Sequence, residues 1–340
     1  SVAMGLTGSR PQVTTKKGFH AKEYKVIVQM MLDLREIRAR GAHQGRIRGA
    51  PATGKERASE LSSSRKVIHL IRHCQGDHNA LTERWLDEGR WGHPMKSKDC
   101  PLDPNLTSKG IKEGEDLNAL IRERDVDPDV IVVSPMRRTI QTALLAFRHR
   151  VPADASAAGE SAGPRGTGKD FVMHESAREI MGWHRCDIRL GAPALEEQFA
   201  WASHAMDFSL LRDHQGAGSP PSPPGDLDFT FAACRAPTDE ASVRDDLFEQ
   251  WGLNRREPHA GAVARGLDLL RFIFEQREEK EVAVVTHSAF LCALVNGVVE
   301  FAEEDDAQQH WYANGEMRSL VVEWDMPAEE AAEPPPKKRR

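Results

Sequence analysis

The sequence predicts an α/β fold: a three-layer sandwich with a largely parallel central sheet flanked by helices. Two observations lead there. Three short runs, KVIHLI (66–71), DVIVVSP (129–135) and EVAVVTHS (281–288), are apolar at consecutive positions. Strands covered on both faces read this way, whereas half-exposed strands alternate. Stretches with helical periodicity separate these runs, and a strand–helix alternation packs as helices on both sides of a mostly parallel sheet.

Taken in chain order, residues 1–64 are rich in Arg and Lys and poor in strand patterning. Within them, EYKVIVQMMLDLREIRAR places Ile27, Met30, Met31, Leu34 and Ile37 on one helical face. A helix packed on the main domain is the reading preferred over a membrane-surface helix. The following GAHQGRIRGAPATGKERASELSSS reads as linker. These 64 residues are therefore taken as a basic N-terminal extension, with the main domain spanning 65–325 and a disordered tail at 326–340. After the first strand, LTSKGIKEGEDLNALIRERD reads as a helix capped by Thr107 or Ser108, with Ile111, Leu117, Leu120 and Ile121 on one side. Ser134-Pro135 closes the second strand, and Ser as N-cap with Pro at the first helical position starts the helix MRRTIQTALLAFRHR. AVARGLDLLRFIFEQREE is helical and leads into the third strand. Ala/Gly/Pro/Ser-rich stretches at 152–170 and 214–226 read as flexible surface insertions.

The 340 residues suffice for one large domain with insertions or two modest ones. A net charge of −6 argues against a nucleic-acid partner. Five scattered cysteines (Cys74, Cys100, Cys186, Cys234, Cys292) include no CxxC pair, so neither a disulfide framework nor a zinc cluster is expected. A reducing compartment, the cytoplasm, follows. No apolar stretch approaches the roughly 20 residues of a membrane span, and no charged start with an apolar core marks a secretory signal. The ending PPPKKRR reads as a solvated basic tail, with a nuclear address as the less favoured alternative.

The chemistry lies at the strand ends. The first strand ends in Arg72-His73, the second leads to Arg137 and Arg138, and the third ends in Thr286-His287. Ligands of open α/β sheets bind beyond the carboxyl ends of the strands. Collecting imidazoles and guanidiniums at one edge costs desolvation unless an anion offsets it, and a phosphate dianion would do so. Arg138, in the first turn of its helix, adds free backbone N–H groups and the positive end of the helix dipole.

These residues carry a resemblance. LIRHCQGDHN, SPMRRTIQTA and VVTHSAFL resemble the three signatures of the histidine phosphatase (phosphoglycerate mutase-like) superfamily, and HESAREIMGWHRCDIR resembles its proton-donor segment. With AMDFSLL, VARGLDLL and YANGEMRSLVV, the match is best to plant, algal and fungal phosphoglycerate mutase-like proteins and runs from about residue 66 to 324. It implies His73 as the nucleophile that becomes phosphohistidine, Arg72, Arg138 and His287 as the rest of the phosphate pocket, and Glu179 as proton donor. Glu175 is the other acid in reach. Asn79 is either a phosphate neighbour or a helix cap. His184, Arg185 and Asp187 beside the acid, and Asn314 and Glu316 before the last strand, are candidate substrate contacts, the last two equally turn-formers. Gln141 and Thr142 are read as structural.

The chain departs from the usual pattern in two places. Cys74 replaces the usual Gly after the histidine; it is read as a buried filler, with an oxidisable thiol as the alternative. Gln75-Gly76 replaces the usual Glu-Thr pair. His69 is read as a core histidine, and His78, His93 and His149 show no ligand spacing. No metal motif is present, and the resemblance implies neither metal nor cofactor. The expected function is hydrolysis of a small phosphorylated metabolite through phosphohistidine, by a metal-independent phosphomonoesterase. The mutases' Phe-x-Gly-Trp-x-Asp stretch is absent from ERWLDEGRWGHPMKSKDCPLDPNLT, which disfavours the alternative, phosphate transfer between positions of a sugar acid. A non-catalytic phospho-ligand scaffold would have no need of the acid.

Overall fold

The structure, a computed structural model, describes residues 21–41, 46–54, 56, 61–90, 94–151, 169–182, 184–213 and 256–325. Most of the two insertions, the 326–340 tail, His93 and Cys234 lie outside the described residues. The helices are α1 (Ala21–Arg40), α2 (Asp77–Asp87), α3 (Ser108–Glu123), α4 (Arg137–Ala146), α5 (Ala192–Gln198), α6 (Ser209–Asp213), α7 (His259–Glu275) and α8 (Ser288–Gly297). The strands are β1 (Arg46–Pro51), β2 (Arg65–Arg72), β3 (Val130–Val133), β4 (Phe171–Met173), β5 (Met206–Asp207), β6 (Glu281–Thr286), β7 (Glu300–Phe301) and β8 (Met317–Asp325).

These strands form one sheet in the order β5-β4-β3-β6-β2-β8-β1-β7. All neighbours are parallel except those of β8, which runs against both β2 and β1. The consecutive apolar residues of β3 and β6 split by parity, as the period of two requires. Val130, Val132, Val282 and Val284 face a core shared with α1, α7 and α8. Ile131, Val133, Ala283 and Val285 face a second core built with α3, α4 and α5. Helices therefore cover both faces, which is the predicted sandwich.

Helix α1 packs on the first of these cores. Ile27, Met30, Met31 and Leu34 are buried there and Ile37 is partly buried. Thr107 caps α3, its Oγ1 accepting from the Gly110 N–H at 3.0 Å. His69 is a satisfied interior histidine between Ser319 Oγ (2.8 Å) and Glu281 Oε1 (3.0 Å).

One reading is corrected. The stretch taken as linker contains β1, which pairs with β8 from Arg46↔Asp325 to Pro51↔Leu320 and with β7 at Arg48↔Glu300. RIRGAP carries one large apolar residue, Ile47, so periodicity gave no strand signal. What makes it a strand is distant, the backbone ladder with β8 and β7; the exposed pairs Arg46–Glu300 and Arg48–Asp325 flank it. Gly49 admits the neighbouring strand, since a Cβ there would stand 2.6 Å from Val299 Cγ1. The sheet therefore runs through the supposed boundary at residue 64.

Candidate active site

The parallel pairing of β2 with β6 sets the centre of the site. Arg72 lies opposite Thr286, so the next residues, His73 and His287, leave the sheet side by side. The His73 N–H donates to the Thr286 carbonyl at 2.9 Å, and the two imidazole centroids are 5.1 Å apart. On the other side of β6, β3 delivers Ser134, whose Oγ lies 2.8 Å from His287 Nε2.

Ser134 thus does not cap the following helix, contrary to expectation. Met136 occupies the N-cap without a side-chain bond, and α4 begins at Arg137. The histidine competes for the hydroxyl that would have served as the cap. Arg138 remains in the first turn. Arg137 instead donates to the Leu102 carbonyl and, through Nε, to that of Asp103.

His73 Nδ1 is 2.7 Å from the Cys74 carbonyl oxygen. A carbonyl only accepts, so Nδ1 carries the proton and Nε2 keeps its lone pair. The His73 carbonyl is held in turn by Asn314 Nδ2 (3.1 Å) and the Gly315 N–H (3.3 Å). His287 Nδ1 is buried with no hydrogen-bond partner among the described residues.

Burial and then the Arg138 charge hold both imidazoles well below their ordinary proton affinity; Arg72 adds to this at His73. The Arg72 guanidinium, which donates to the Tyr312 carbonyl at 2.8 Å, is lowered to about 10 by burial. Arg138 donates to the Cys186 carbonyl (2.7 Å) and to Asp187 Oδ1 (3.3 Å). The Nε groups of Arg72 and Arg138 are buried without partners among the described residues. Two guanidiniums and two neutral imidazoles around one spot, with polar hydrogens unpaired, suit a multiply charged anion.

Glu179 reaches the N-terminus of α8. Its Oε1 accepts from the Phe290 N–H (2.9 Å) and its own loop's Ile180 N–H (2.9 Å), and Oε2 accepts from Ala289 (3.2 Å). Since α8 starts directly after His287, the carboxylate is placed beside the imidazole pair. It is also the largest favourable charge acting on Arg72. Glu175, the competing acid, is used elsewhere: it forms buried ion pairs with Arg178 (3.4 Å) and Arg189.

The remaining candidates divide. Asn79 Oδ1 accepts from the Gly76 N–H at 3.0 Å, which is the capping alternative, and also lies 3.4 Å from Asn314 Nδ2. His184 and Asp187 lie 3.4 Å apart, and Asp187 also holds Arg138. Arg185 Nε donates to the Cys100 carbonyl at 3.2 Å. Glu316 takes up Arg318 and the Ala313 N–H, forming the turn before β8.

Gln75 is turned inward to Glu83 and Thr107. Gln141 holds the Leu106 N–H, and Thr142 receives the Cys74 N–H, both structural as read. Cys74 is fully buried, and burial pushes its thiol to about 12, so the filler reading holds against the reactive one.

His78 was missed. It is buried, with its ring centroid 5.5 Å from that of His73. Burial, then Arg138, His73, Arg72 and His184, push its proton affinity down. Its only signal was position: the second residue of a helix whose N-terminus abuts the end of β2.

Among the described residues, one group offers three metal-ligand atoms within 4.8 Å of one another: His184, Cys186 and Asp187. Arg138 already pairs with that aspartate, and Arg256 Nη1 lies 3.3 Å from His184 Nδ1. No described helix is long and apolar enough to cross a membrane.

Comparison with known proteins gives a consistent picture. The profile of the histidine phosphatase superfamily (branch 1) matches residues 68–158, a span that holds Arg72, His73 and Arg138. A phosphoglycerate mutase-like protein of Arabidopsis thaliana is 29% identical over 275 residues, covering 76% of this chain and 84% of its own. Phosphoglycerate mutase-like protein 1 of the same plant is 27% identical over 272 residues, covering 76% and 81%. A 2,3-bisphosphoglycerate-dependent phosphoglycerate mutase of Rhodococcus opacus is 36% identical over 90 residues, covering 25% of this chain and 30% of its own.

Proposed function

We propose, from this likeness to the histidine phosphatase superfamily, that the chain is a phosphomonoesterase acting on a small phosphorylated metabolite through a phosphohistidine. The observation that carries the reading is the imidazole pair 5.1 Å apart, with His73 Nδ1 tied to the Cys74 carbonyl and Arg72 and Arg138 alongside. A tied Nδ1 leaves Nε2 as the nucleophile.

In the first step Nε2 attacks phosphorus, the N–P bond forms and the ester P–O bond breaks. Glu179, as general acid, passes a proton to the leaving oxygen. Arg72, Arg138 and His287 Nδ1 donate to the phosphoryl oxygens as charge spreads over them. In the second step Glu179 takes a proton from water, the hydroxide attacks phosphorus, the N–P bond breaks and phosphate leaves. Asn79 and Asn314 line the edge of the pocket, and His184 and Arg185 contact the rest of the substrate. We place the pocket in one unit that includes α1 and β1.

The test is a screen of phosphorylated sugars, sugar acids, nucleotides and phosphopeptides, with phosphate release measured for the native chain and for His73→Ala. Acid-labile phosphoprotein should form with the native chain and vanish in the variant; equal turnover by both would refute the reading. Mutase activity is the second reading, supported by the Arabidopsis and Rhodococcus relatives' names. It predicts that phosphate stays on the glycerate when 3-phosphoglycerate is supplied.

A further inference from the structure

The loop that carries Glu179 has no regular structure of its own to keep it in place. It follows a single turn, Glu175–Ala177, and runs on to Met181. What holds it comes from α7, some ninety residues later. Arg265 is buried there, and all five of its N–H donors are directed at the acid loop and at Glu257. Nη1 donates to the carbonyls of Ser176 (2.9 Å) and Arg178 (2.9 Å), and Nη2 to that of Glu179 itself (3.2 Å). Nε and Nη2 also donate to the two carboxylate oxygens of Glu257, at 2.7 and 2.6 Å.

Glu257 closes the arrangement from the other side. Its Oε2 accepts from the Met181 N–H at 3.2 Å, and its own N–H donates to the Met181 carbonyl at 2.8 Å. The Arg265 guanidinium also lies 5.0 Å from the centroid of the Phe290 ring. Phe290 is the residue whose backbone N–H holds Glu179 Oε1. One guanidinium thus touches the loop before the acid, the backbone of the acid, and a residue that anchors its carboxylate.

We propose that Arg265, with Glu257, is the positioning pair that aims Glu179 at the leaving-group oxygen. This rests on the phosphatase reading above. Neither residue touches the reacting atoms. Their effect is geometric: a displacement of about 1 Å at an acid–base group can cost about 10²-fold in rate. Because a proton donor matters only when the leaving group is basic, the effect has a signature that general damage lacks.

The experiment is single-turnover phosphorylation of His73 by rapid quench in the 340-residue chain, with two esters. 4-Nitrophenyl phosphate has a leaving group that departs without a proton; 2-glycerophosphate needs one. Arg265→Lys keeps the charge but not the planar five-donor fork. It should slow phosphorylation by 2-glycerophosphate about 10²-fold and leave that by 4-nitrophenyl phosphate within a few-fold of the native rate. An equal loss on both esters, or none on either, overturns the proposal.

Should the lysine variant fail to fold, Arg265→Met combined with Glu257→Leu removes both buried charges together, which is far better tolerated than removing one. That double variant should show the same selective loss, and a native ratio between the esters would overturn the proposal. Hydrogen exchange separates this from the phosphatase reading. Amides of 176–181 should exchange faster in either variant while those of β2 and β6 do not, whether or not the chain cleaves either ester. Unchanged protection of the loop would refute the pair's role on its own.

Discussion

Acid should unfold this protein sooner than its carboxylates alone would require, because three imidazoles are kept neutral inside it. His73, His78 and His287 are each buried, and burial followed by the Arg138 charge lowers the proton affinity of all three well below the ordinary value. A folded-state pKa below the unfolded one means that the unfolded chain binds protons the folded chain refuses. The associated stability is therefore complete above the unfolded histidine pKa near 6.5 and drains away as the pH falls below it.

From pH 7 to 5.5 the loss comes to about 1.2 kcal/mol for each imidazole and about 4 kcal/mol for the three, as an upper limit. That is a large part of the roughly 5–15 kcal/mol available to a folded domain. Urea unfolding at pH 7.0, 6.5, 6.0 and 5.5 measures it. His78→Gln should flatten the pH slope by about one third, and inorganic phosphate, whose charge lets the imidazoles accept protons, should flatten it further. Asp103 and Asp170, raised by burial, act at the acid end with the opposite sign and cancel in the comparison. Identical slopes for the native chain and the variant would refute the argument.

Other perturbations have equally definite outcomes. Glu175→Gln leaves Arg178 and Arg189 buried without their carboxylate and should cost about 3–5 kcal/mol in urea unfolding; a change below 1 kcal/mol would mean that water or another anion serves them. Leu34→Ala empties a fully buried site against Gly297 and should cost about 2–5 kcal/mol. A smaller effect, or loss of α1 by proteolysis without a shift in the unfolding of the rest, would show that α1 is an appendage. Gly110→Ala would put a Cβ 2.0 Å from the Gln75 carbonyl oxygen, inside the segment that follows His73. It should lower both the midpoint of thermal unfolding and phosphate release, and native values for both would contradict the packing described.

Much of the arrangement is legible in linear sequence, and the legible parts share a cause. Runs such as Val130–Val133 and Val282–Val285 are apolar at every position because both sheet faces are covered. The α1 stripe is legible because one helix face is buried. Arg72-His73 and Thr286-His287 are legible as one cluster because both end parallel strands at the same sheet edge. His69 could be read as an interior residue from the strand around it.

Other assignments failed where the deciding partner is far along the chain. Strand β1 owes its place to its pairing with β8 and β7, more than 250 residues away. Ser134 had the right type and place for a cap until His287 claimed its hydroxyl. His78 has no motif spacing, and only its burial against His73 brings it beside the imidazole pair.

By itself the sequence determined the layered architecture and the imidazoles and guanidiniums gathered at the strand ends, because hydrophobic period and chain reversal are local properties. Only the tertiary structure decided which glutamate remains beside the imidazoles, which hydroxyl caps and which binds, and what holds the acid loop in place. Those choices turn on desolvation and on hydrogen-bond partners such as Arg265 and Glu257, whose geometry exists only once distant segments have packed.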